Sequence, residues 1–310
     1  MNGRRDVRAP IAMAVVVVVW GSAFPAIGAG VAAYDPGHLV LLRFLVASGL
    51  LLGRAAVVGI RPPERRDWLP ILAGSLTGVV GYQTALSYGQ QVVSALSASL
   101  LVNMSPIFTV LLAAAYLRER LGLLGWVGVG VSFVGACVVS LADAGAVRLE
   151  PAALLVVFAA AAGAVYTVLQ KPLLQRYRAV EYVSYVVWSG TAMLLVFAPG
   201  LVAAVRTAPL SATGAVVYLG VGPSIAGYVL FTYALSRLPA SRVAPVQYLI
   251  PLSALGIAWV WLGEIPSALT LAGGAVSLVG VVVVHRWGAR APESVLVPSP
   301  TVGDNHADPN

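Results

Sequence analysis

The end of this chain repeats its middle at a constant offset of 145 residues. Residues 106–140 align without gaps with residues 251–285, and twelve of the 35 aligned positions are identical. A repeat of this length indicates duplication, so the two halves of the chain are expected to share one fold. The matched residues are Pro106 with Pro251, Glu119 with Glu264, Gly128 with Gly273, Ser132 with Ser277, and Gly135 with Gly280.

The composition places this duplicated fold in a membrane. Apolar residues make up 59 % of the chain and charged residues 10 %, whereas soluble domains have roughly 45 to 50 % and about 25 %. The apolar runs are continuous, which favours helices over the alternating strands of a β-barrel. Ten runs of about 20 residues can cross a bilayer: about 11–31, 38–58, 68–87, 93–116, 122–141, 151–172, 181–203, 212–235, 240–262 and 267–286.

The positive charges predict how these spans are oriented. Of the 19 basic residues, 16 fall on the face of the termini, Arg148 and Arg206 fall on the other face, and Arg43 lies within a span. Because basic loops stay in the cytoplasm, both termini are expected to be cytoplasmic, in the inner (plasma) membrane. The net charge of +7 is then explained by topology, and no nucleic-acid partner is expected.

Five spans in each half force the second copy to enter the membrane upside down. The predicted fold is therefore all-α: a polytopic membrane protein with ten transmembrane helices in two inverted five-helix repeats. Inverted repeats commonly enclose a solute site and expose it alternately to each side of the membrane. The predicted organisation is a cytoplasmic tail over 1–9, a first repeat over 10–142, a second repeat over 150–287 and a disordered tail over 288–310.

Two further features bear on processing and assembly. Arg4 and Arg5 followed by an apolar run are also compatible with a cleaved export signal. The run continues to about Val31 and nine more spans follow, so an uncleaved first helix is the simpler interpretation. The single Cys137 lies in an apolar span and provides no disulfide framework. The expected partners are the bilayer and a small-molecule solute, with the chain acting as a monomer or homodimer.

Four segments carry a resemblance to a known family. SPIFTVLLAAAYLRERL, its echo IPLSALGIAWVWLGEIP, WGSAF in the first span and LLRFLVA in the second resemble the drug/metabolite transporter superfamily in its ten-helix EamA-type branch. The resemblance covers about residues 10–287. It implies a carrier, commonly an exporter of amino acids, other metabolites or toxic compounds. It also implies a central cavity surrounded by spans one, three, four, six, eight and nine.

The matched prolines are candidates for shaping that cavity. Pro106 lies thirteen residues from Glu119, which is about 20 Å of helix and places it near the bilayer midplane. Pro251 takes the symmetric place. Proline frees the carbonyl four residues earlier and can kink a helix. The alternative is that these are ordinary prolines of membrane helices, without a role at a site.

Polar and aromatic side chains on the cavity spans are the candidates for binding the solute. Amides that face lipid are unfavourable, so Gln83, Asn103 and Gln247 should point into the bundle. There they either contact the solute or only bond helix to helix. The substrate-binding candidates are Trp20, Tyr82, Gln83, Asn103, Tyr166, Tyr228, Gln247 and Tyr248.

Three charged residues are expected to have structural or gating roles. Arg43 lies about five residues from the outer end of its span and can extend to the interface, towards Asp35. Because the resemblance makes the second span peripheral, substrate binding by Arg43 is not expected. Glu119 and Glu264 are expected to cap span ends or to pair with arginines.

The charges that are missing restrict the solute and the mechanism. No Asp or Glu lies near the middle of any predicted span, which disfavours proton exchange through one buried carboxylate. The cavity spans also lack the basic cluster that a phosphorylated solute requires. A neutral or zwitterionic, partly apolar solute is therefore predicted, and neither a metal nor a cofactor is expected.

Two alternatives to a transporter remain open at this point. One is a membrane-embedded enzyme, because the segment from Gly222 to Ala226 approaches the G-x-S-x-G pattern around Ser224. The pattern lacks its final glycine, and no second catalytic group accompanies it, so the chain is predicted not to be an enzyme. The other alternative is a non-transporting sensor or structural subunit.

Overall fold

A computed structural model of the protein describes residues 7–93, 95–119, 121–144, 151–253, 256–257 and 267–287. Regular structure within these ranges is helical. Glu264, residues 1–6 of the predicted first tail and the whole predicted tail over 288–310 lie outside the described residues. The α-helices are α1 Arg8–Gly21, α2 Ala23–Val31, α3 Pro36–Val58, α4 Trp68–Ser75, α5 Tyr82–Gly89, α6 Ala95–Val102, α7 Ser105–Tyr116, α8 Leu123–Ala144, α9 Ala153–Leu173, α10 Ala179–Leu194, α11 Leu201–Thr207, α12 Leu210–Leu219, α13 Tyr228–Arg237, α14 Ala240–Val243 and α15 Ala268–Trp287.

Six helical regions among the described residues are long and apolar enough to cross a membrane. They correspond to the first, second, third, sixth, seventh and eighth predicted spans. Shorter apolar helices cover parts of the fourth, fifth and tenth. The protein is thus a helical, multi-pass membrane protein, and the count of ten spans stays a prediction. The six regions are Arg8–Val31, Pro36–Val58, Arg65–Gly89, Ala153–Leu173, Ala179–Phe197 and Leu210–Arg237.

The fourth predicted span is divided by a turn at Asn103 and Met104. Pro106 occupies the first turn of α7, where a helix has no need of the missing N–H. In place of the kink predicted at Pro106, the span has a break between α6 and α7. In the second half, the 3₁₀ segment Ala244–Leu249 precedes Pro251. There the Gln247 carbonyl, four residues before Pro251, accepts the N–H of Ile250 and so has a backbone partner.

The third and eighth spans each contain a π-helical segment at the same place in the repeat. Leu76–Gly81 joins α4 to α5, and Gly220–Gly227 joins α12 to α13. The offset of 145 residues maps the first segment onto residues 221–226, inside the second. A π-turn widens the helix by one residue and often marks a functional site. In both spans the turn lies at the middle and redirects the side chains that follow it.

Helix packing brings the two halves together around a common interior. α1 packs against α13, α7 against α9, and α2 against α12. α8 packs along α15 through small residues that allow close approach, as is usual between membrane helices. This arrangement leaves an internal space between the first span, the two π-helical segments, α9 and the 3₁₀ segment.

Candidate functional site

A cavity of about 70 Å³ lies in the middle of the bundle. At about 10 to 15 Å³ for each water molecule, it has room for a few waters. Its wall combines aromatic and aliphatic side chains with a small polar group, the usual character of a small-molecule site. The wall is formed by Trp20, Ala23, Phe24, Ile27, Arg43, Gly78, Tyr82, Gln83, Leu86, Val102, Ser105, Gly163, Tyr166, Thr167, Pro223, Tyr228, Phe231, Gln247 and Ile250.

The two halves of the chain contribute equivalent positions to this wall. Ten of the lining residues form five pairs that are separated by the repeat offset of 145 residues. The third and fourth spans of the first half therefore face their own counterparts across the cavity. The pairs are Gly78 with Pro223, Gln83 with Tyr228, Leu86 with Phe231, Val102 with Gln247, and Ser105 with Ile250.

Six of the eight substrate-binding candidates line the cavity, and Asn103 and Tyr248 do not. These two are related by the repeat offset, and each follows a lining residue, Val102 or Gln247. One residue further along a helix turns the side chain by about 100°. Tyr248 instead packs against Phe133, with ring centroids 6.1 Å apart. The six that line the wall are Trp20, Tyr82, Gln83, Tyr166, Tyr228 and Gln247.

Arg43 is the largest departure from the sequence prediction. Its side chain does not extend towards Asp35 but is buried, with 2 % exposure, and lines the cavity. The Nε atom donates to Ser224 Oγ at 2.5 Å, and Nη1 donates to Gln83 Oε1 at 2.8 Å. Among the residues that the structure describes, no ion pair joins Arg43 to a carboxylate. A buried positive charge is therefore held by neutral hydrogen-bond acceptors.

Tyr228 continues this network to the opposite π-helical segment. Its hydroxyl donates to the carbonyl of Gly78 at 2.6 Å and accepts from Gln83 Nε2 at 3.0 Å. The chain of hydrogen bonds thus runs from Ser224 through Arg43, Gln83 and Tyr228 to Gly78. Its two ends lie in the two π-helical segments, so it ties one half of the protein to the other. Such connected networks fix the orientation of each member.

An aromatic group encloses the network on one side. The indole N–H of Trp20 donates to the carbonyl of Pro223 at 3.3 Å. The Trp20 ring lies 5.0 Å from the ring of Phe231, and Tyr166 lies 5.6 Å from Tyr228, measured between centroids. These spacings are those of favourable aromatic pairs. The cavity therefore has a charged, polar end at Arg43 and an aromatic wall beside it.

Hydrogen bonds also connect the two halves on the face of the bundle where α1 begins, which we call the N-terminal face. The Glu119 carboxylate accepts the backbone N–H groups of Ala240 and Ser241, each at 2.9 Å, at the start of α14. A carboxylate is favoured at a helix N-terminus. Lys171 Nζ donates to the carbonyl of Leu235, at the end of α13, at 2.5 Å. The connection between the eighth span and the segment after it is thus held from two sides.

The opposite face is also bridged. The hydroxyls of Tyr34, after α2, and Thr213, in α12, are 2.6 Å apart. The contact joins the C-terminal end of the first span to the start of the eighth. Contacts between the two halves therefore lie at both faces of the bundle, on either side of the cavity.

Several lining residues are not among the eight candidates, although the repeat gives a signal for some of them. The offset of 145 residues relates the candidate Gln247 to Val102, and it relates Leu86 to Phe231. Leu86 carries no signal of its own, because an aliphatic side chain is ordinary on a membrane helix. Ser224, the partner of Arg43, lies in the hydrolase-like pattern and is not among the candidates. Nothing in the sequence indicates that Arg43 turns inward.

A helical, multi-pass membrane protein with an internal cavity between two related halves, lined mainly by apolar groups and by one buried arginine, belongs to the class of solute carriers. The chain is a member of the EamA-like transporter family, whose family model matches residues 8–141 and 150–286. This family lies within the drug/metabolite transporter superfamily. The prediction of a membrane transporter is confirmed, and the family and the names of its members indicate transporters rather than enzymes.

Comparisons with individual proteins agree with this assignment. A probable terminal-alkyne amino-acid exporter of Streptantibioticus cattleyicolor is 42 % identical over 275 residues, which are 89 % of this chain and 92 % of the relative. The uncharacterized transporter YdfC of Bacillus subtilis is 34 % identical over 278 residues, which are 90 % of this chain and 91 % of the relative. A solved crystal structure with 21 % identity superposes with a TM-score of 0.72, covering 89 % of this chain and 95 % of that one.

Proposed function

We propose that this transporter exports amino acids with uncharged, mainly apolar side chains, and that Arg43 binds their carboxylate. The observation that carries the proposal is the buried guanidinium of Arg43, which lines the cavity and is held by Gln83 and Ser224. A charged side chain within a membrane span is costly and commonly marks a solute pathway. A solute carboxylate would compensate that charge, and guanidinium groups bind carboxylates with two parallel hydrogen bonds.

The remainder of the cavity fits the rest of such a solute. The aromatic rings of Trp20 and Tyr82 offer faces that attract an ammonium group. Phe24, Ile27 and Phe231 provide an apolar surface for a side chain. The similarity to a relative named as a probable amino-acid exporter supports the same solute class.

We further propose ten transmembrane helices in two inverted repeats, with both termini in the cytoplasm of the cell and the protein in its inner membrane. The five offset-related pairs in the cavity wall support the repeat, as do the matching π-helical segments. The basic residues on the face of the termini support the orientation. The fourth span would then comprise α6 and α7, and the fifth span would be α8. The ninth span would begin at α14, and the tenth would be α15.

Transport would proceed by alternating access. The cavity would open to the cytoplasm when the contacts of Glu119 with the start of α14 separate, and outward when Tyr34 and Thr213 separate. The cavity of about 70 Å³ is smaller than an amino acid requires. Solute entry therefore involves movement of the wall. The oligomeric state under this proposal is a monomer or homodimer.

Flux in proteoliposomes tests the proposal. Leucine and phenylalanine, each compared with its amine and its methyl ester, separate recognition of the carboxylate from recognition of the side chain. The protein should transport each amino acid at least about tenfold better than the amine or the ester, because a hydrogen-bonded charge pair is worth about 1.5 to 3 kcal/mol. Equal transport of acid and amine would contradict the role of the carboxylate.

Variants of Arg43 test whether this residue is the one that recognises the carboxylate. Arg43→Gln should lower the apparent affinity for the amino acids by about tenfold to a hundredfold. Arg43→Lys should be intermediate, since lysine keeps the charge but lacks the planar fork. Arg54→Gln is the matched control, because Arg54 lies on the same helix with an exposed side chain. If Arg43→Gln kept the preference for the acid over the amine, another residue would be the carboxylate site.

A further inference from the structure

We propose that the N-terminal face of the protein holds an anionic phospholipid in a groove between α1 and α13. The groove is separate from the central cavity and has a volume of about 1030 Å³. Its walls are the first two turns of α1 and α13 from Val229 to Arg237, and its floor is the connection Leu174–Val180 between α9 and α10. The proposal does not depend on the identity of the transported solute.

The charged side chains among the described residues that line this groove are all basic. They are four arginines: Arg8 on α1, Arg176 and Arg178 on the floor, and Arg237 at the end of α13. Arg176 bonds to Asp67 at 2.6 Å behind the floor, and the Arg237 guanidinium lies 5.5 Å from the ring centroid of Tyr233. The cluster is complementary to a phosphodiester, since guanidinium groups bind phosphate with high geometric specificity.

The deeper part of the groove is apolar on both walls. On α1 the lining residues pass from Arg8 to Ile11 and Val15, and on α13 from Arg237 to Val229. At 1.5 Å per residue, Val15 and Val229 lie about 10 to 12 Å further along their helices than the arginines, and Ile11 lies about 4 to 5 Å further. Ile11 and Val15 are 61 % and 42 % exposed. The groove thus has a cationic head region and an apolar tail region, which match a phospholipid and not a free phosphate ion.

The floor of the groove is built rigidly enough to hold a headgroup. Tyr177 donates to the Asp67 carboxylate at 2.7 Å and accepts the backbone N–H of Glu64 at 2.9 Å. Burial raises the pKa of the Tyr177 hydroxyl, so it stays protonated and remains the donor. These bonds fix the connection that carries Arg176 and Arg178. Basic pockets between helices at the cytoplasmic face are a known type of anionic-lipid site.

A lipid at this place would contact two helices that also form the cavity wall. Trp20, which follows the groove part of α1, packs against Phe231 of α13. A lipid between α1 and α13 would hold the two helices in a fixed relation on the side where the cavity opens to the cytoplasm. Bound anionic lipid is therefore expected to change the rate of transport as well as to bind.

Native mass spectrometry of the full-length, delipidated protein tests the site. Phosphatidylglycerol should bind at least about tenfold more tightly than phosphatidylcholine with the same acyl chains. The double variant Arg8→Gln with Arg237→Gln should lose most of that preference, since each basic residue near the membrane surface contributes about a factor of five. Arg54→Gln with Arg65→Gln removes the same charge from exposed positions outside the groove and should leave the preference intact.

Two additional probes distinguish a bound phospholipid from a free anion in the groove. Inorganic phosphate and the soluble headgroup glycerophosphoglycerol should fail to displace the lipid at equal concentration, because neither uses the apolar walls. Displacement by phosphate would make this a free-anion site and overturn the proposal. Equal binding of the two phospholipids, or an unchanged preference in the groove variant, would also overturn it. Unchanged phosphatidylcholine binding and a monodisperse elution profile would show that the variant is folded.

Discussion

Ser132 and Ser277 form a reciprocal pair of hydrogen bonds. The Ser132 hydroxyl donates to the Ser277 carbonyl at 3.3 Å, and the Ser277 hydroxyl donates to the Ser132 carbonyl at 3.2 Å. The two residues are separated by the repeat offset of 145 residues, so equivalent positions of the two copies bond to each other. Around them Gly128 approaches the Gly280 carbonyl. The two copies of the sequence repeat are thus in direct contact with each other along α8 and α15.

The first prediction concerns the close approach of these helices. A methyl group at Gly135 would lie 2.3 Å from the backbone nitrogen of Ser277, whereas one at Gly130 would meet nothing within 4 Å. Gly135→Ala should therefore force α8 and α15 apart and destabilise the protein by about 1 to 3 kcal/mol. Gly130→Ala should be neutral or slightly stabilising, since alanine favours a helix. Thermal unfolding in detergent measures both, and equal stability of the two variants would contradict the packing.

The second prediction concerns the amide side chains of Gln247 and Asn103, which are both candidates for binding the solute. Gln247 lines the cavity and Asn103 does not. Gln247→Leu removes a donor and an acceptor from the cavity wall and should weaken the apparent affinity for the solute by a few-fold to about tenfold. Asn103→Leu is the matched control and should leave affinity unchanged. Concentration dependence of flux in proteoliposomes provides the measurement. A loss of affinity in Asn103→Leu alone would place the solute on the other side of the helix.

The third prediction concerns Glu119, which accepts two backbone N–H groups. Glutamine has a single acceptor oxygen, so Glu119→Gln loses one of these bonds, at a cost of about 0.5 to 1.5 kcal/mol. The variant should keep substantial flux, because the carboxylate is a structural cap. Glu64→Gln, on the same face, is the control. Abolished flux in Glu119→Gln with normal expression would make this residue part of the proton or solute path.

The fourth prediction concerns the pH dependence of transport. Among the residues that the structure describes, the cavity wall contains no carboxylate, so flux should show no steep loss between about pH 7 and pH 5. An essential buried acid would instead produce a single-proton loss of activity in that range. The initial rate of flux, with equal pH on both sides of the vesicle, is the measurement. A steep single-proton decline, absent from empty vesicles, would indicate an essential acid that the described cavity does not contain.

The fifth prediction tests the ten-span topology. A reporter fused to either terminus, or placed at Arg65, should report cytoplasm, and one placed near Asp35 or Arg206 should report the outside. The basic residues on the face of the termini give the physical reason. Paired alkaline phosphatase and fluorescent-protein fusions at each position read opposite sides and control for expression. An external C-terminus would require an odd number of spans and would remove the inverted repeat.

Much of this protein is determined by sequence features that act locally or along the whole chain. Apolar runs of about 20 residues must form helices in a bilayer, because backbone groups have no other partners there. The offset of 145 residues identified the halves, and residue chemistry placed Gln83, Tyr228 and Gln247 inside the bundle. Length and polarity were sufficient for these conclusions, and the resemblance to a transporter family followed from the same segments.

Only the tertiary structure decided which side chains share the cavity. A difference of one residue turns a side chain by about 100°, so Gln247 lines the cavity while its neighbour Tyr248 packs against Phe133. The π-helical segments change that register within a span, and apolar sequence does not reveal them. Arg43 turns inward because Gln83 and Ser224, far apart in the chain, together satisfy its guanidinium. Such partners become neighbours only when the helices of both halves have packed.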